Sequence, residues 1–192
     1  MSQPGLTPSQ TVGPFLSIGL TWPDGAYAAT PSTPGAHWIR GHLYDGEGVP
    51  ITDGLIETWQ ADPGGHFDHP DDPVGFAASP VAGFRGFGRS ATGPQGEWEI
   101  CVLKPGRVPA ADGVLQAPHL DVTVLARGLL DRVVTRIYFG DEVEANAADP
   151  VLRSVAEHRR GTLIADLAVI AADGYTFEIR LQGEHETVFF DL

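Results

Sequence analysis

One cysteine stands in 192 residues, so no internal disulfide can form, and Cys101 lies between Ile100 and Val102 in the manner of a buried strand thiol. Basic side chains are also scarce. Twelve Lys and Arg against 25 Asp and Glu leave a formal net charge of −13, which argues against a nucleic-acid partner, because phosphate binding is driven by basic groups displacing counterions. An anionic ligand would need local arginines. No apolar run reaches the roughly 20 residues of a membrane span, and MSQPGLTPSQ has neither the basic start nor the apolar run of a signal peptide. The expectation is a soluble, cytoplasmic protein with no membrane contact. No serine sits in a Gly-x-Ser-x-Gly elbow and no phosphate-cradling glycine loop is present, so a Ser-His-Asp hydrolase and a nucleotide site are poor readings.

What is plentiful is turn chemistry. Twenty-four Gly and sixteen Pro lie scattered between short apolar runs, the pattern of a many-turned β protein. The length and the 42% hydrophobic content support one domain over 1–192, with 1–36 as an extended arm too rich in Pro, Gly, Ser and Thr to form a core element unaided. Strands are expected at Trp38 to Tyr44, Leu55 to Trp59, Trp98 to Leu103, Leu120 to Leu125, Val133 to Phe139, Thr162 to Ile170 and Tyr175 to Leu181, the last two joined as a hairpin at Asp173-Gly174. The segment from Ala61 to Gly96 reads as one long functional or interface loop. One helix is expected, capped by Asp149, opened by Pro150, carrying Val151, Leu152 and Val155 as its apolar stripe, and closing on Arg159 and Arg160. The fold class is an all-β sandwich with a long N-terminal arm, extended loops and one short helix.

Three places hold candidate chemistry. His66-Phe67-Asp68-His69, followed by Asp71 and Asp72, offers metal-ligand types, but in a Pro- and Asp-rich stretch a solvated loop is the favoured reading. His119-Leu120-Asp121 puts an imidazole and a carboxylate on one face of a strand, an arrangement more often structural than functional. Arg127 follows an apolar strand in a protein short of positive charge, and is read equally as a surface ion pair or as a receptor for an anionic group. His37, His42, His158 and His185 have no patterned partner and read as surface or satisfied core histidines.

Several segments, in order along the chain, resemble the intradiol ring-cleaving dioxygenases: Thr7 to Phe15, Glu57 to Asp62, Phe87-Gly88-Arg89, Lys104-Pro105-Gly106 and Ala117-Pro118-His119. The later segments Ala126-Arg127-Gly128, Thr135 to Phe139 and Gly183 to Asp191 are similar to the alpha-type chains of the family's two-chain members. In this family ferric iron is held by two tyrosines and two histidines, whose hard phenolate oxygens favour the oxidised metal. The tyrosine positions match Phe67 and Val108 here, the histidine pair matches His119 and Asp121, and an arginine expected just before that pair is Gln116. No tyrosine occurs between Tyr44 and Tyr138 at all. The resemblance therefore implies a vestigial centre with no metal and no catalytic residues in this chain alone.

It further implies a heterodimer with a homologous beta chain that carries the ferric iron, several heterodimers joined in a closed assembly, and protocatechuate and dioxygen as substrates. Thr11, Gly13, Pro14 and Phe15 would line the shared pocket from the arm, and Arg127 would meet the substrate carboxylate. Two readings stay open beside it: a stand-alone metal-free β-sandwich binding module, and an enzyme with a remodelled metal site built from His119, Asp121 and the His66 to His69 loop.

Overall fold

A computed structural model describes residues 10–13, 15–72, 75–168 and 174–191. Its strands are β1 (His37–Tyr44), β2 (Leu55–Trp59), β3 (Phe87–Ala91), β4 (Glu97–Val102), β5 (His119–Leu125), β6 (Val133–Phe139), β7 (Ile164–Leu167), β8 (Gly174–Thr176) and β9 (Ile179–Arg180). Period-two alternation is clearest in β1 and β5. In β1, Ile39, Gly41 and Leu43 turn inward while Arg40 and His42 turn out, and in β5 Leu120, Val122 and Val124 are wholly buried. These faces meet Ile56, Ile100, Ile137 and Phe139 in one apolar core.

The strands form one nine-stranded sheet in the order β3-β2-β5-β6-β7-β8-β1-β4, with β9 beside β1. β5 lies between β2 and β6, antiparallel to both, in the register Trp59↔Asp121↔Arg136. The sheet curls until its edge strands approach, where the Glu99 amide donates to the Ser90 hydroxyl at 3.3 Å. Gly41 is required where the chain after β8 passes β1: a Cβ there would fall 1.7 Å from the Phe177 carbonyl oxygen. β6 and β7 run parallel, so the chain between them must cross over. It does so through helices α2 (Val143–Ala148) and α3 (Pro150–Ser154) and a 3-10 helix, Glu157–Leu163.

Five sequence expectations change. The long loop from Ala61 to Gly96 contains β3, whose Phe-Gly-Arg-Ser-Ala has no apolar alternation and forms because β2 offers it a ladder. The expected helix is capped by Asp149 as read, with Oδ1 accepting from the Val151 and Leu152 amides, but it ends at Ser154 because Val155 is extended. Arg160 still serves that helix end from the 3-10 turn, donating to the Val155 carbonyl at 2.9 Å. Two further short helices occur, α2 and, in the arm, α1 (Leu16–Gly19). The strand expected over Thr162 to Ile170 begins only at Ile164, and Tyr175 to Leu181 is split into β8 and β9, both parallel to β1. β7 and β8 pair antiparallel, as expected of the two strands, and Asp173 lies outside the described residues.

Candidate functional site

Cross-strand register assembles a buried polar centre at the start of β5. Residues directly opposite on antiparallel strands share a face, and the β5–β6 register sets Asp121 against Arg136 and His119 against Tyr138. Arg136 Nε lies 2.9 Å from Asp121 Oδ1, and its Nη1 donates to Gln116 Oε1 at 2.7 Å and to the Tyr138 hydroxyl at 3.3 Å. The Tyr138 hydroxyl donates in turn to Asp149 Oδ1 at 3.2 Å. Asp149 is fully buried, and its other oxygen accepts from the Ala117 amide at 2.7 Å.

His119 Nδ1 sits 2.7 Å from the Ala117 carbonyl, a contact that requires the proton on Nδ1 and leaves Nε2 facing Asp121 Oδ1 at 3.9 Å. Burial, then the Arg136 charge, hold the His119 pKa below the usual histidine value, so the imidazole is neutral. Burial also pushes the Tyr138 phenol well above its usual range, although Arg136 opposes the shift. Burial works against the Arg136 charge too, but Asp121 and Tyr138 outweigh it and its pKa stays raised.

The four positions matched to the family's ligands are drawn around this centre. Phe67 stacks on Trp59, ring centroids 6.1 Å apart and nearly parallel, and Trp59 is the cross-strand partner of Asp121. Val108 is buried, and its carbonyl accepts from the amide of Gln116, whose side chain receives Arg136. Gln116 stands where the family resemblance expects an arginine, and the guanidinium comes instead from Arg136 on the neighbouring strand.

The residues missed in the sequence are thus Arg136, Tyr138 and, beyond its capping role, Asp149. The available signal was the pairing of β5 with β6, which sets Arg136 and Tyr138 opposite Asp121 and His119.

The His66 to His69 segment uses its acids to shape the chain. Asp62 Oδ1 accepts from the amides of Gly64 and His66, and the buried Asp72 accepts from the Phe67 amide at 2.9 Å. His66 Nδ1 lies 3.7 Å from Asp72 Oδ2. Among the described residues, no group of three or more His, Cys, Asp or Glu is disposed to hold a metal ion.

A second, open site lies just beyond the far end of β5. Ala126 to Leu129 form a turn closed by the Leu129 amide on the Ala126 carbonyl, with Gly128 at φ +87°, the left-handed conformation that this turn position requires. Arg127 projects from it with 71% of its side chain exposed and is ion-paired with Asp53. The Gly128 amide donates to Thr11 Oγ1 at 3.0 Å, so the arm reaches this turn across 117 residues of sequence. Arg89 anchors the arm's base, donating to the Leu20 carbonyl at 2.9 Å and stacking over Trp22. Phe15 and Ile18 project from the arm 76% and 72% exposed. Gly13 is also exposed, and Pro14 lies outside the described residues.

A family model described as Dioxygenase matches residues 27–183, and the protocatechuate 3,4-dioxygenase alpha chain of Pseudomonas putida is 41% identical over 199 residues, 96% of each chain. The chain belongs to the intradiol dioxygenase family. The protocatechuate 3,4-dioxygenase beta chain of Burkholderia cepacia is a more distant relative, 29% identical over 157 residues, which span 78% of this chain and 65% of that one. Among solved structures, the dioxygenase domain of a carbohydrate-binding fusion protein from Streptomyces sp. SirexAA-E shares the fold, with a TM-score of 0.56 at 22% identity over 95% of this chain and 96% of that one. No helix among the described residues is long and apolar enough to cross a membrane.

Proposed function

We propose that this dioxygenase-family chain is the non-iron-binding alpha subunit of protocatechuate 3,4-dioxygenase. It completes the active site of an iron-bearing beta subunit, which opens the protocatechuate ring between its two hydroxyls and inserts both atoms of dioxygen to give 3-carboxy-cis,cis-muconate. The observation that carries this reading is the near end-to-end relationship to an alpha chain, at higher identity and coverage than to the beta chain.

Ferric iron does not fit the centre of this chain. The Phe67 and Val108 side chains offer no oxygen, the Tyr138 hydroxyl is engaged between Arg136 and Asp149, and the Arg136 guanidinium lies against Asp121. An added trivalent cation would meet one neutral imidazole and a fixed positive charge against Asp121, while Asp149, the centre's other carboxylate, is already engaged by three backbone amides and the Tyr138 hydroxyl. The chemistry therefore belongs to the partner, and this chain alone is inactive.

Its own contribution is wall and charge. Phe15 and Ile18 bury against the beta subunit and exclude water from the shared pocket. Thr11, Gly13, Pro14 and Phe15 line that pocket, and Arg127 meets the carboxylate that distinguishes protocatechuate from catechol, a charge-assisted contact of about 1.5 to 3 kcal/mol. Residues 1–192 form one domain with 1–36 as its arm, acting in the cytoplasm within a larger oligomer of heterodimers.

The test is to express the chain alone and with its beta partner, then measure iron content and protocatechuate-dependent oxygen uptake. Colourless, inactive chain and an iron-bearing, active co-complex are expected. Stoichiometric iron or ring cleavage by this chain alone would overturn the proposal, and a stable chain that ignores the beta partner would favour an independent binding module.

A further inference from the structure

We infer that Asp53 is the positioning residue for Arg127, and that through it this chain sets how strongly the assembled enzyme prefers a carboxylate-bearing catechol over an uncharged one. The inference rests on the proposed role of Arg127.

The backbone brings the two together. β2 and β5 pair in the register Leu55↔Leu125, and continuing that register two residues past the ladder sets Asp53 opposite Arg127. The two supports differ in rigidity. Asp53 adjoins Gly54, which is buried and held from both sides by Thr92: the Gly54 amide donates to Thr92 Oγ1 at 2.8 Å, and the Thr92 amide donates to the Gly54 carbonyl at 3.0 Å. Arg127 instead stands on an exposed turn, where packing does little to choose its rotamer. Its ordering comes from Asp53, whose side chain is only 31% exposed.

The atoms of the pair matter. Arg127 is ion-paired with Asp53, Nε being the nitrogen nearest Oδ2, and a guanidinium has five N–H donors in a planar fork. One carboxylate cannot take all five, so the same side chain can also meet a second carboxylate. An arginine fixed in this way has lost its rotamer freedom before substrate arrives, so less binding free energy is spent on ordering it.

The experiment uses the assembled complex and compares Asp53→Ala, Asp53→Asn, Arg127→Ala and the Asp53→Ala/Arg127→Ala double variant on protocatechuate and on catechol. Asp53→Ala should raise KM for protocatechuate by about threefold, less than loss of Arg127 itself, with kcat, the iron's visible absorption and KM for catechol unchanged. Asp53→Asn should lose most of the same affinity, because the amide keeps the shape of the side chain without the charge that pairs with the guanidinium. The double variant should be no worse than Arg127→Ala, since Asp53 acts through that side chain.

Equal KM increases for both substrates, multiplying effects in the double variant, or normal kinetics in Asp53→Ala while Arg127→Ala is impaired would each overturn the role of Asp53 alone. Normal kinetics in Arg127→Ala would remove Arg127 from the site, and the inference with it.

Discussion

His119 opens β5 and Arg127 follows just after its end, yet these two ends obey different physics. At the first, every charged group is matched inside the chain: Arg136 by Asp121, and Asp149 by three backbone amides and a phenol. At the second, an exposed arginine rests on one carboxylate, and exposed Phe15 and Ile18 project from the arm attached beside it. The difference teaches how burial sets the need for a partner. The largely buried Arg136 guanidinium needs a counter-charge, since an unpaired buried charge is costly, and the half-buried Asp121 supplies it. The rim carries no such pressure while it faces water, and its groups are completed by a second subunit in the proposed assembly.

If that contrast is right, substitutions at the centre should cost stability and substitutions at the rim should cost substrate affinity. The largest effect is expected from Asp149→Ala, which removes a helix cap and strands buried donors. It should destabilise the chain by about 3 kcal/mol, measured by urea unfolding followed through tryptophan fluorescence. Arg136→Leu should follow at about 2 kcal/mol, between the values for exposed and buried pairs because Asp121 is partly solvated. A more stable Arg136→Leu protein would break the comparison outright.

At the rim, Arg127→Ala should raise KM for protocatechuate roughly tenfold, about 1.4 kcal/mol, while the unfolding midpoint stays within experimental error. Thr11→Val, which deletes the bond from the Gly128 amide, should loosen the arm by about 0.5 to 1 kcal/mol. Faster proteolytic cleavage of the arm in the isolated chain would register that loss without any change in core stability.

The smallest effect sharpens the contrast through pH. The folded His119 pKa lies below its unfolded value of about 6.5, so the stabilising contribution is complete above that pH. It is lost as pH falls towards the folded pKa, because the unfolded chain takes up a proton that the buried imidazole refuses. His119→Gln should flatten the pH dependence of stability over that interval, and an unchanged slope would show that His119 does not contribute to it.

β1 and β5 were legible in the sequence because an apolar face repeats every second residue, and β2 and β6 because short runs of β-branched and aromatic residues favour strands. β3 was not: Phe87-Gly88-Arg89-Ser90-Ala91 has no such period and depends on its neighbour. The helix cap at Asp149 was legible from Asp-Pro alone, whereas the end at Ser154 depends on Val155 turning extended. Of the candidate site, the absence of tyrosine between Tyr44 and Tyr138 needed no structure, and His119, Asp121 and Arg127 could be singled out from the sequence as candidates.

By itself, then, the sequence determined the β-rich class, the family resemblance and the missing phenolates, because composition, local periodicity and residue identity are properties of the chain in order. Only the tertiary structure decided which groups meet around His119 and Asp121 and what pairs with Arg127. Arg136 reaches Asp121 through the β5–β6 register, Asp53 reaches Arg127 through the β2–β5 register, and Thr11 meets Gly128 across 117 residues of chain. Such contacts have no sequence period to betray them, because they exist only once hydrogen-bonded ladders have fixed which residues face each other.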